Sequence, residues 1–269
     1  MLPVTASEIY FNPNPPKGEI IMKIGAQLYT VRDFCKTKKK FAETLEKVAD
    51  IGYKTVQVSG TCKYEPEWLN EQLKKCDLKC VITHIPADDL VKNPAKIARD
   101  HYTFDCNYVG LGWYGFDGSE KDMQKFLSKY LPVAEAIKKE GRYFMYHNHE
   151  KEFRRYNDGV VLEFLAEQFS PEIMGFTFDT YWAQTAGADP AYWIEKLSGR
   201  VPCIHLKDHS FDRKMAVIGE GNINFDRVFY SAEKAGTEFM LVEQDDCNKE
   251  NPFECLRRSY EFLKSRGFK

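Results

Sequence analysis

The feature that most constrains the fold of this chain is an eightfold alternation between short apolar runs and longer runs with helical periodicity. The alternation starts at Lys23 and has a repeat of about thirty residues, the size of one strand–helix unit. The apolar runs predict eight strands, at 24–29, 55–59, 78–84, 108–111, 143–147, 174–179, 201–207 and 239–243. The intervening runs have conventional helix ends, such as a Ser119 cap, Gly52 after an apolar helical face, and Asp189 or Asn251 followed by proline.

Eight strand–helix units in 269 residues predict an α/β fold of one domain, a (β/α)8 TIM barrel over 23–269. An open doubly wound sheet is the alternative, but the first strand is followed by Gln27-Leu28-Tyr29-Thr30-Val31-Arg32 and not by a glycine-rich dinucleotide loop. Residues 1–22, which include a run rich in asparagine and proline, predict a short irregular N-terminal extension. Because Met22 directly precedes the first strand, we expect it to be the biological start.

The composition favours small-molecule chemistry in the cytoplasm. Lys and Arg number 38 against 40 Asp and Glu, so the formal charge of −2 provides no field that attracts nucleic acid or an anionic membrane. The 8 cysteines are scattered without a Cys-x-x-Cys pair, which predicts reduced thiols. No apolar run is long enough to predict a membrane span, and no signal-peptide pattern predicts secretion.

Polar side chains occur where the predicted strands end, and in a barrel of this type the active site is built from these ends and the loops that follow. These residues are Gln27, Gln57, His84, His147, His149, Asp179, His205, Lys207 and Glu243. Side chains two positions apart share one face of a strand, so His205 and Lys207 point the same way. Because an unpaired buried charge is costly, we expect these groups to pair with one another or to bind a ligand.

Four of these side chains, His147, Asp179, His205 and Glu243, are hard or borderline ligands that suit one divalent cation such as Mn²⁺, Zn²⁺, Co²⁺ or Mg²⁺. Other interpretations remain open for each of them. The histidines would be hydrogen-bonded within the core, Asp179 would cap a helix, and Glu243 would form a buried salt bridge with Lys207.

Several residues at the same end of the barrel are predicted to contact a substrate. His84 ends the third strand and is a predicted substrate contact or proton donor, with a structural histidine as the alternative. Trp113 and Trp182 follow strand ends, where their ring faces would stack on a sugar ring or pack within loops. Gln27 and Tyr29, at the end of the first strand, complete the predicted substrate contacts.

Taken together, these segments resemble the sugar phosphate isomerase/epimerase superfamily, the xylose-isomerase-like metal-dependent TIM barrels, from Lys23 to Gly267. The segments that carry the resemblance are 27–33, 146–149, 178–180, 205–208 and 219–225. In that family strands five to eight present a Glu, an Asp, a His and a Glu to one divalent metal ion. Asp179, His205 and Glu243 match three of these ligands.

The first of the family's four ligands is a Glu, and His147 stands in its place. Three alternatives follow: His147 substitutes for it, Glu150 or Glu152 folds back, or the metal keeps an extra water.

The resemblance implies a sugar isomerase or epimerase that acts on a ketose or keto-sugar, phosphorylated or not, through an enediolate. Glu243 would be both metal ligand and base, Lys207 would stabilise negative charge on oxygen, and His84 and His149 would be further acid–base groups. A keto-inositol dehydratase or keto-glycoside lyase is the nearest alternative, followed by a DNA-repair phosphodiesterase on the same barrel and a non-catalytic sugar-binding barrel. The implied partner is a small sugar, with no nucleic acid or membrane, and a homo-oligomer is left open.

Overall fold

The computed structural model describes residues 22–269, and the predicted extension before Met22 lies outside the described residues. Eight parallel strands close into a barrel in chain order, because the first strand pairs with both the second and the eighth. The strands are β1 (Lys23–Gln27), β2 (Thr55–Val58), β3 (Lys79–His84), β4 (Tyr108–Leu111), β5 (Tyr143–His147), β6 (Met174–Asp179), β7 (Cys203–Leu206) and β8 (Phe239–Val242). The predicted (β/α)8 TIM barrel is therefore confirmed.

Helices follow the strands and cover the outside of the barrel. They are α1 (Lys38–Ile51), α2 (Pro66–Lys75), α3 (Ala87–Lys92), α4 (Pro94–Thr103), α5 (Glu120–Lys139), α6 (Val161–Gln168), α7 (Thr180–Thr185), α8 (Pro190–Lys196), α9 (Phe225–Ala235) and α10 (Pro252–Ser265). Short 3-10 helices follow β1 (Leu28–Phe34) and β5 (Glu150–Phe153). Within residues 22–269, no helix has both the length and the apolar character needed to cross a membrane.

The helix ends agree with the sequence signals. Gly52, with φ of 120°, ends α1 in the left-handed conformation that glycine adopts without steric cost. The Ser119 hydroxyl accepts a hydrogen bond from the backbone N–H of Asp122 at the start of α5. Asp189 caps α8 in the same way and is followed by Pro190 in the first turn.

Three strands, β2, β3 and β8, are one residue shorter than predicted, and β1 and β7 differ from their predicted bounds by two residues at one end. β1 ends at Gln27 instead of residue 29, because the Gln27 side chain accepts a hydrogen bond from the backbone N–H of Tyr29 and starts the 3-10 helix. β7 covers Cys203–Leu206 instead of 201–207. Pro202 has no N–H for the ladder, and beyond Leu206 the chain turns into a small antiparallel hairpin that pairs Asp208–His209 with Met215–Ala216.

An apolar floor lies beneath the polar ends of the strands. Met145, Cys203 and Leu241 are buried in one small cluster with Val81 and Ile82, separate from the main core between barrel and helices. Each of the first three lies two positions before a polar residue of the site and so shares its strand face. The barrel interior directly below the polar strand ends is therefore largely apolar, with the buried Thr177 hydroxyl below Asp179 as an exception.

Candidate metal centre

Four side chains from consecutive strands meet at the C-terminal mouth of the barrel. His147 ends β5, Asp179 ends β6, His205 lies in β7 and Glu243 follows β8. One ligating atom from each lies within 4.8 Å of the corresponding atoms of the others, and all four side chains are buried. Strand register brings them together, because Asp179 is paired with His205 across β6 and β7.

The hydrogen bonds of the two histidines determine which ring nitrogen is left free. His147 donates from Nδ1 to the carbonyl oxygen of Gly112, 2.9 Å away, which leaves Nε2 without a proton. His205 donates from Nε2 to the Oε1 atom of Gln57 at 2.7 Å, which directs Nδ1 toward the carboxylates. His147 Nε2 and His205 Nδ1 face each other at 3.1 Å. In their neutral forms they present opposed lone pairs, an arrangement that a cation or an added proton between them stabilises.

The carboxylates complete a set of donors that fits a divalent ion. Asp179 Oδ2 lies 3.1 Å from His147 Nε2, and Glu243 Oε2 lies 2.8 Å from His205 Nδ1. Two imidazole nitrogens and two carboxylate oxygens are borderline-to-hard ligands of the kind that Mn²⁺, Co²⁺ and Zn²⁺ accept. Their separations are compatible with neighbouring positions around one ion, so the residues present fit a bound divalent metal.

His147, and neither of the nearby glutamates, belongs to this set. The Glu152 carboxylate accepts hydrogen bonds from the Tyr146 hydroxyl and from the backbone N–H of His149. It is fully buried behind β5 and belongs to the start of the 3-10 helix at Glu150–Phe153.

Lys207 places a buried positive charge beside the two carboxylates. Its Nζ atom lies 3.3 Å from Asp179 Oδ2, 3.2 Å from Glu243 Oε2 and 2.8 Å from Asp245 Oδ2. Burial alone would raise the pKa of Asp179 and of Glu243, but the Lys207 ammonium and the neighbouring histidines hold both well below the usual range. The salt-bridge interpretation of Glu243 and the ligand interpretation therefore describe the same side chain.

His205 has the opposite behaviour to the other histidines of the site. Burial lowers its pKa, but the charges and hydrogen bonds of Glu243 and Asp179 outweigh burial and raise the pKa to about 9. Burial also lowers the pKa of His149, to about 2, and that of His84 well below the usual range. His149 and His84 are thus neutral at physiological pH.

A cavity of about 450 Å³ opens above this cluster. The predicted residues that line it are Tyr29, His84, Trp113, His147, His149, Lys207 and Glu243. Gln27 and Trp182, which were predicted to contact substrate, lie outside the lining. Gln27 is fully buried beneath Tyr29, and the Trp182 ring packs against the His149 ring at 5.2 Å and beside Lys207 Nζ at 5.3 Å.

His84 packs closely against Gly110 and Gly112, which restrict the position of its ring. Its Nδ1 atom lies 3.4 Å from the Ser59 hydroxyl, and its buried Nε2 has no hydrogen-bond partner among residues 22–269. An ideal Cβ atom on Gly112 would lie 2.7 Å from His84 Nδ1, and one on Gly110 would lie 2.8 Å from His84 Cδ2. Only glycine at these positions leaves room for the imidazole, which is stacked 5.2 Å from the His147 ring.

Asp245 is a residue of the site that the sequence interpretation did not single out. It lines the cavity, its Oδ2 accepts from Lys207, and its Oδ1 is buried without a partner in the described part of the chain. The Arg32 guanidinium holds its backbone carbonyl at 3.0 Å. Burial and the charge of Glu243 raise the pKa of Asp245 to about 6. The polar run Gln244-Asp245-Asp246 directly after an apolar strand was the available signal.

Asp208 explains why the motif at 219–225 accompanies β7. Its carboxylate accepts hydrogen bonds from the backbone N–H groups of His209, Gly219, Gly221 and Ile223 at 2.8–3.2 Å. An ideal Cβ atom on Gly221 would lie 2.4 Å from Asp208 Oδ1, so this approach requires glycine. Asp208 therefore organises the loop between β7 and α9 and faces away from the metal ligands.

Comparison with known proteins agrees with this architecture. A family model described as a xylose isomerase-like TIM barrel matches residues 45–266. An inosose dehydratase of Bacillus cereus is 24% identical over 173 residues, which are 55% of this chain and 56% of that protein. The chain thus spans about half the length of the curated relatives it matches.

Two solved structures illustrate the shared fold. A sugar phosphate isomerase/epimerase from Parabacteroides distasonis is 19% identical with a TM-score of 0.78, over 93% of this chain and 96% of that chain. A probable 3-DHS dehydratase from Bacillus anthracis, involved in petrobactin synthesis, is 16% identical with a TM-score of 0.72, over 90% of this chain and 99% of that chain. At these identities the likeness shows the fold alone. The resemblance found in the sequence is confirmed at the level of the family.

Proposed function

Because this chain belongs to the xylose isomerase-like TIM barrel family, we propose that it is a divalent-metal-dependent sugar isomerase or epimerase. Its substrate is a ketose or keto-sugar, and the reaction begins with removal of the proton next to the carbonyl group, which gives an enediolate. The observation that carries this proposal is the meeting of two ring nitrogens, His147 Nε2 and His205 Nδ1, 3.1 Å apart between the carboxylates of Asp179 and Glu243.

Glu243 is proposed to accept the proton from carbon, and Lys207 to stabilise the negative charge that develops on oxygen. A divalent ion bound by His147, Asp179, His205 and Glu243 would polarise the carbonyl and hydroxyl oxygens of the sugar. Glu243 stays ionised at neutral pH beside the Lys207 ammonium, so its carboxylate is available to accept the proton from carbon. Lys207 Nζ lines the cavity and donates hydrogen bonds to the oxygen that gains negative charge.

The uncharged side chains of the cavity are proposed to orient the sugar. His84 Nε2 and His149 Nδ1 are buried without partners among residues 22–269, and both rings are neutral, so each can donate or accept a hydrogen bond with a sugar hydroxyl. Trp113 and Tyr29 lie at the rim, where a ring face suits the apolar side of a pyranose or furanose.

An elimination is the second candidate function. The relative from Bacillus cereus is an inosose dehydratase, and a dehydratase begins with the same proton abstraction. The outcome then depends on whether a hydroxyl or other leaving group lies beside the carbon that loses its proton. His84, which is neutral and lines the same cavity as Glu243, is the group we propose to assist its departure.

Metal content tests the centre independently of the reaction. We expect about one Mn²⁺, Co²⁺ or Zn²⁺ per chain by mass spectrometry of protein equilibrated with each ion. Asp179→Asn and His147→Leu should lose the ion, whereas His147→Glu, which restores the carboxylate typical of the family, and Asp245→Asn should keep it. A well-folded wild-type protein that takes up none of these ions would refute the metal centre.

Solvent exchange tests the reaction. In D₂O, the metal-loaded protein should introduce deuterium next to the carbonyl of a substrate drawn from a panel of ketoses and keto-inositols. Glu243→Gln should lower the exchange rate by about 10²–10⁴-fold, the usual contribution of a general base. Unchanged exchange in this variant would reject Glu243 as the base. Product mass distinguishes isomerisation or epimerisation from loss of water.

A further inference from the structure

A second chamber adjoins the cavity above the metal centre. Its volume is about 610 Å³, and it lies between the loops that follow β2 and β3 and the helix α4. Ser59, His84, Ile85 and Pro86 line both spaces, so the two chambers share a wall and meet at the His84 imidazole. A molecule held above the metal centre and a group held in the second chamber would therefore both contact His84.

The lining of the second chamber is suited to apolar contact. Val58, Tyr64, Ile85, Ile97 and Phe104 contribute aliphatic and aromatic surface. Of the buried polar atoms in residues 22–269 that lack a hydrogen-bond partner, only His84 Nε2 belongs to this lining, and it lies at the shared wall.

The other polar groups of the second chamber either have partners or, as for Lys63, Asp89 and Asn93, are exposed to solvent. Lys96 and Asp100 form an ion pair at 2.5 Å. The His101 ring donates from Nδ1 to the carbonyl oxygen of Ile97 and contacts the Thr83 hydroxyl through Nε2 at 2.8 Å. Little in this chamber therefore requires a hydrogen bond from a ligand.

The first chamber differs in its buried charges and unpartnered polar atoms. It contains the charges of Lys207, Glu243 and Asp245, and the unpartnered atoms Asp245 Oδ1 and His149 Nδ1. Such a space suits a ring that carries several hydroxyl groups, because each unpartnered buried atom gains a hydrogen bond when that ring binds. Each chamber lies within the range of about 300–1,000 Å³ that is typical of ligand sites.

We propose that the second chamber binds a substituent of the substrate: an aromatic or other largely apolar ring joined to the sugar that sits above the metal centre. The preferred substrate is then a ring-substituted keto-sugar, such as an aryl glycoside whose sugar ring carries a ketone, and not a free monosaccharide. This inference rests on the proposed function for the placement of the sugar. His84, at the shared wall, is positioned to hydrogen-bond the oxygen that links sugar and substituent.

Matched pairs of glycosides test the proposal with the metal-loaded protein. Methyl and phenyl glycosides of glucose, galactose and mannose are titrated by calorimetry. For the sugar that fits the first chamber, the phenyl glycoside should bind at least about tenfold more tightly than the methyl glycoside, since burial of the ring adds apolar contact. Equal affinities within every pair, or no binding of any glycoside, would overturn the proposal.

Two substitutions fill the second chamber from different sides. Thr61→Trp acts from the loop after β2 and Ile97→Trp from α4, and both residues line this chamber and not the first. Each should abolish the preference for the phenyl glycoside and change methyl glycoside affinity less than about threefold. Val91→Trp, on the exposed surface of α3 and outside the lining, is the matched control and should keep the preference. A preference that survives in both filled variants would contradict the assignment.

Cys62 gives a readout that does not depend on any substitution. It lines the second chamber and is half-buried, whereas Cys76 is half-buried outside it. Saturating phenyl glycoside should slow alkylation of Cys62 by iodoacetamide and leave Cys76 unaffected, and the methyl glycoside should protect neither. Equal protection of Cys62 by both glycosides would place the phenyl ring elsewhere.

Metal content and solvent exchange, measured on the same preparations, distinguish failure of the second-chamber assignment from failure of the proposed function. Metal uptake and exchange without any preference for a phenyl substituent would reject the second-chamber assignment alone. Phenyl preference and Cys62 protection in a protein that takes up no metal would reject the proposed function. In that case the chamber remains a ring-binding site.

Discussion

The two halves of the barrel mouth are built from the same strand–helix unit but differ in charge. The ends of β5–β8 carry His147, Asp179, His205, Lys207 and Glu243, whereas the ends of β1–β4 carry the uncharged Gln27, Gln57, Ser59 and His84. Side chains of the charged half contact one another at 2.8–3.6 Å. Those of the neutral half support a charged neighbour, as Gln57 does for His205, or form a wall between chambers.

This difference separates two tasks. The charged half concentrates the groups that we propose to hold an ion and move a proton, and its members stabilise one another only as a set. The neutral half is proposed to orient the sugar ring and shape the cavity, and each of its members acts nearly alone. Substitutions in the charged half should therefore have large, coupled effects, and those in the neutral half smaller and more separable effects.

The largest expected effect comes from removing the central charge. In metal-free protein, Lys207→Met leaves Asp179, Glu243 and Asp245 without their common partner, and the free energy of unfolding should fall by about 3–5 kcal/mol. Lys38→Met, which breaks the exposed pair with Glu65, should cost less than about 1 kcal/mol. Urea denaturation measures both, and equal losses in the two variants would contradict the contrast.

Two buried titratable residues lie between the barrel and the helices, one behind each half, and they predict how the free energy of unfolding depends on pH. Behind β5, burial raises the pKa of Glu152 to about 7, from 4.5 in the unfolded chain, so the stability it contributes is lost as pH rises from about 4.5 to 7. Behind β3, burial lowers the pKa of His101 to about 4, from 6.5, so its contribution is lost as pH falls from about 6.5 to 4.

Between about pH 4.5 and 6.5, these two contributions change the free energy of unfolding with pH in opposite directions. Each change amounts to up to about 3 kcal/mol over its full pH range. Relative to wild type, Glu152→Gln should make the free energy of unfolding increase more steeply with pH, and His101→Gln should make it increase less steeply or decrease. Urea denaturation at a series of pH values measures the slopes. Changes of the same sign in both variants would contradict the prediction.

Gln57 tests whether a residue of the neutral half affects metal binding by the charged half. Gln57→Leu removes the acceptor of the His205 Nε2–H, and metal affinity should fall by about 10–100-fold, as for other partners of metal-binding histidines. Gln27→Leu is the matched control, because Gln27 is equally buried but bonds only to the Tyr29 backbone. Competition with a fluorescent chelator gives both affinities, and a similar loss in both variants would point to a general packing effect.

The smallest expected effect is confined to the neutral wall. Gly112→Ala places a methyl group against His84 Nδ1, so the ring must move, and the rate of solvent exchange should fall by about tenfold with the bound metal retained. In a double-mutant cycle with His84→Ala, the alanine at 112 should cost little once the imidazole is absent. Additive losses would show that the methyl group acts through the Gly112 backbone instead.

The fold and the clustering of the four proposed ligands followed from local patterns, because period and strand ends are properties of contiguous residues. His147, Asp179, His205 and Glu243 each end an apolar run, and barrel closure brings such ends together. What the sequence did not predict depends on long-range contacts of loops. Asp245 is held by Arg32 across 213 positions of the chain, and no local pattern encodes that approach.

The aromatic residues show the same limit. Trp113 and Trp182 both follow strand ends, yet only Trp113 reaches the cavity lining. Trp182 lies in α7, whose first turn is capped by Asp179 Oδ1, and this cap turns the indole toward His149 and Lys207. The second chamber was equally hidden in the sequence, since it forms where the Val58–Pro66 loop and α4 leave space between them.

Lys207 has a further consequence for how the protein matures. Small zinc domains stay unfolded until their metal binds, because the unfolded chain has no preformed site. Here the Lys207 ammonium already neutralises Asp179 and Glu243, so we expect the barrel to fold before any ion binds. An ion taken up by the proposed site would then bind late and reversibly, to a protein that is already folded.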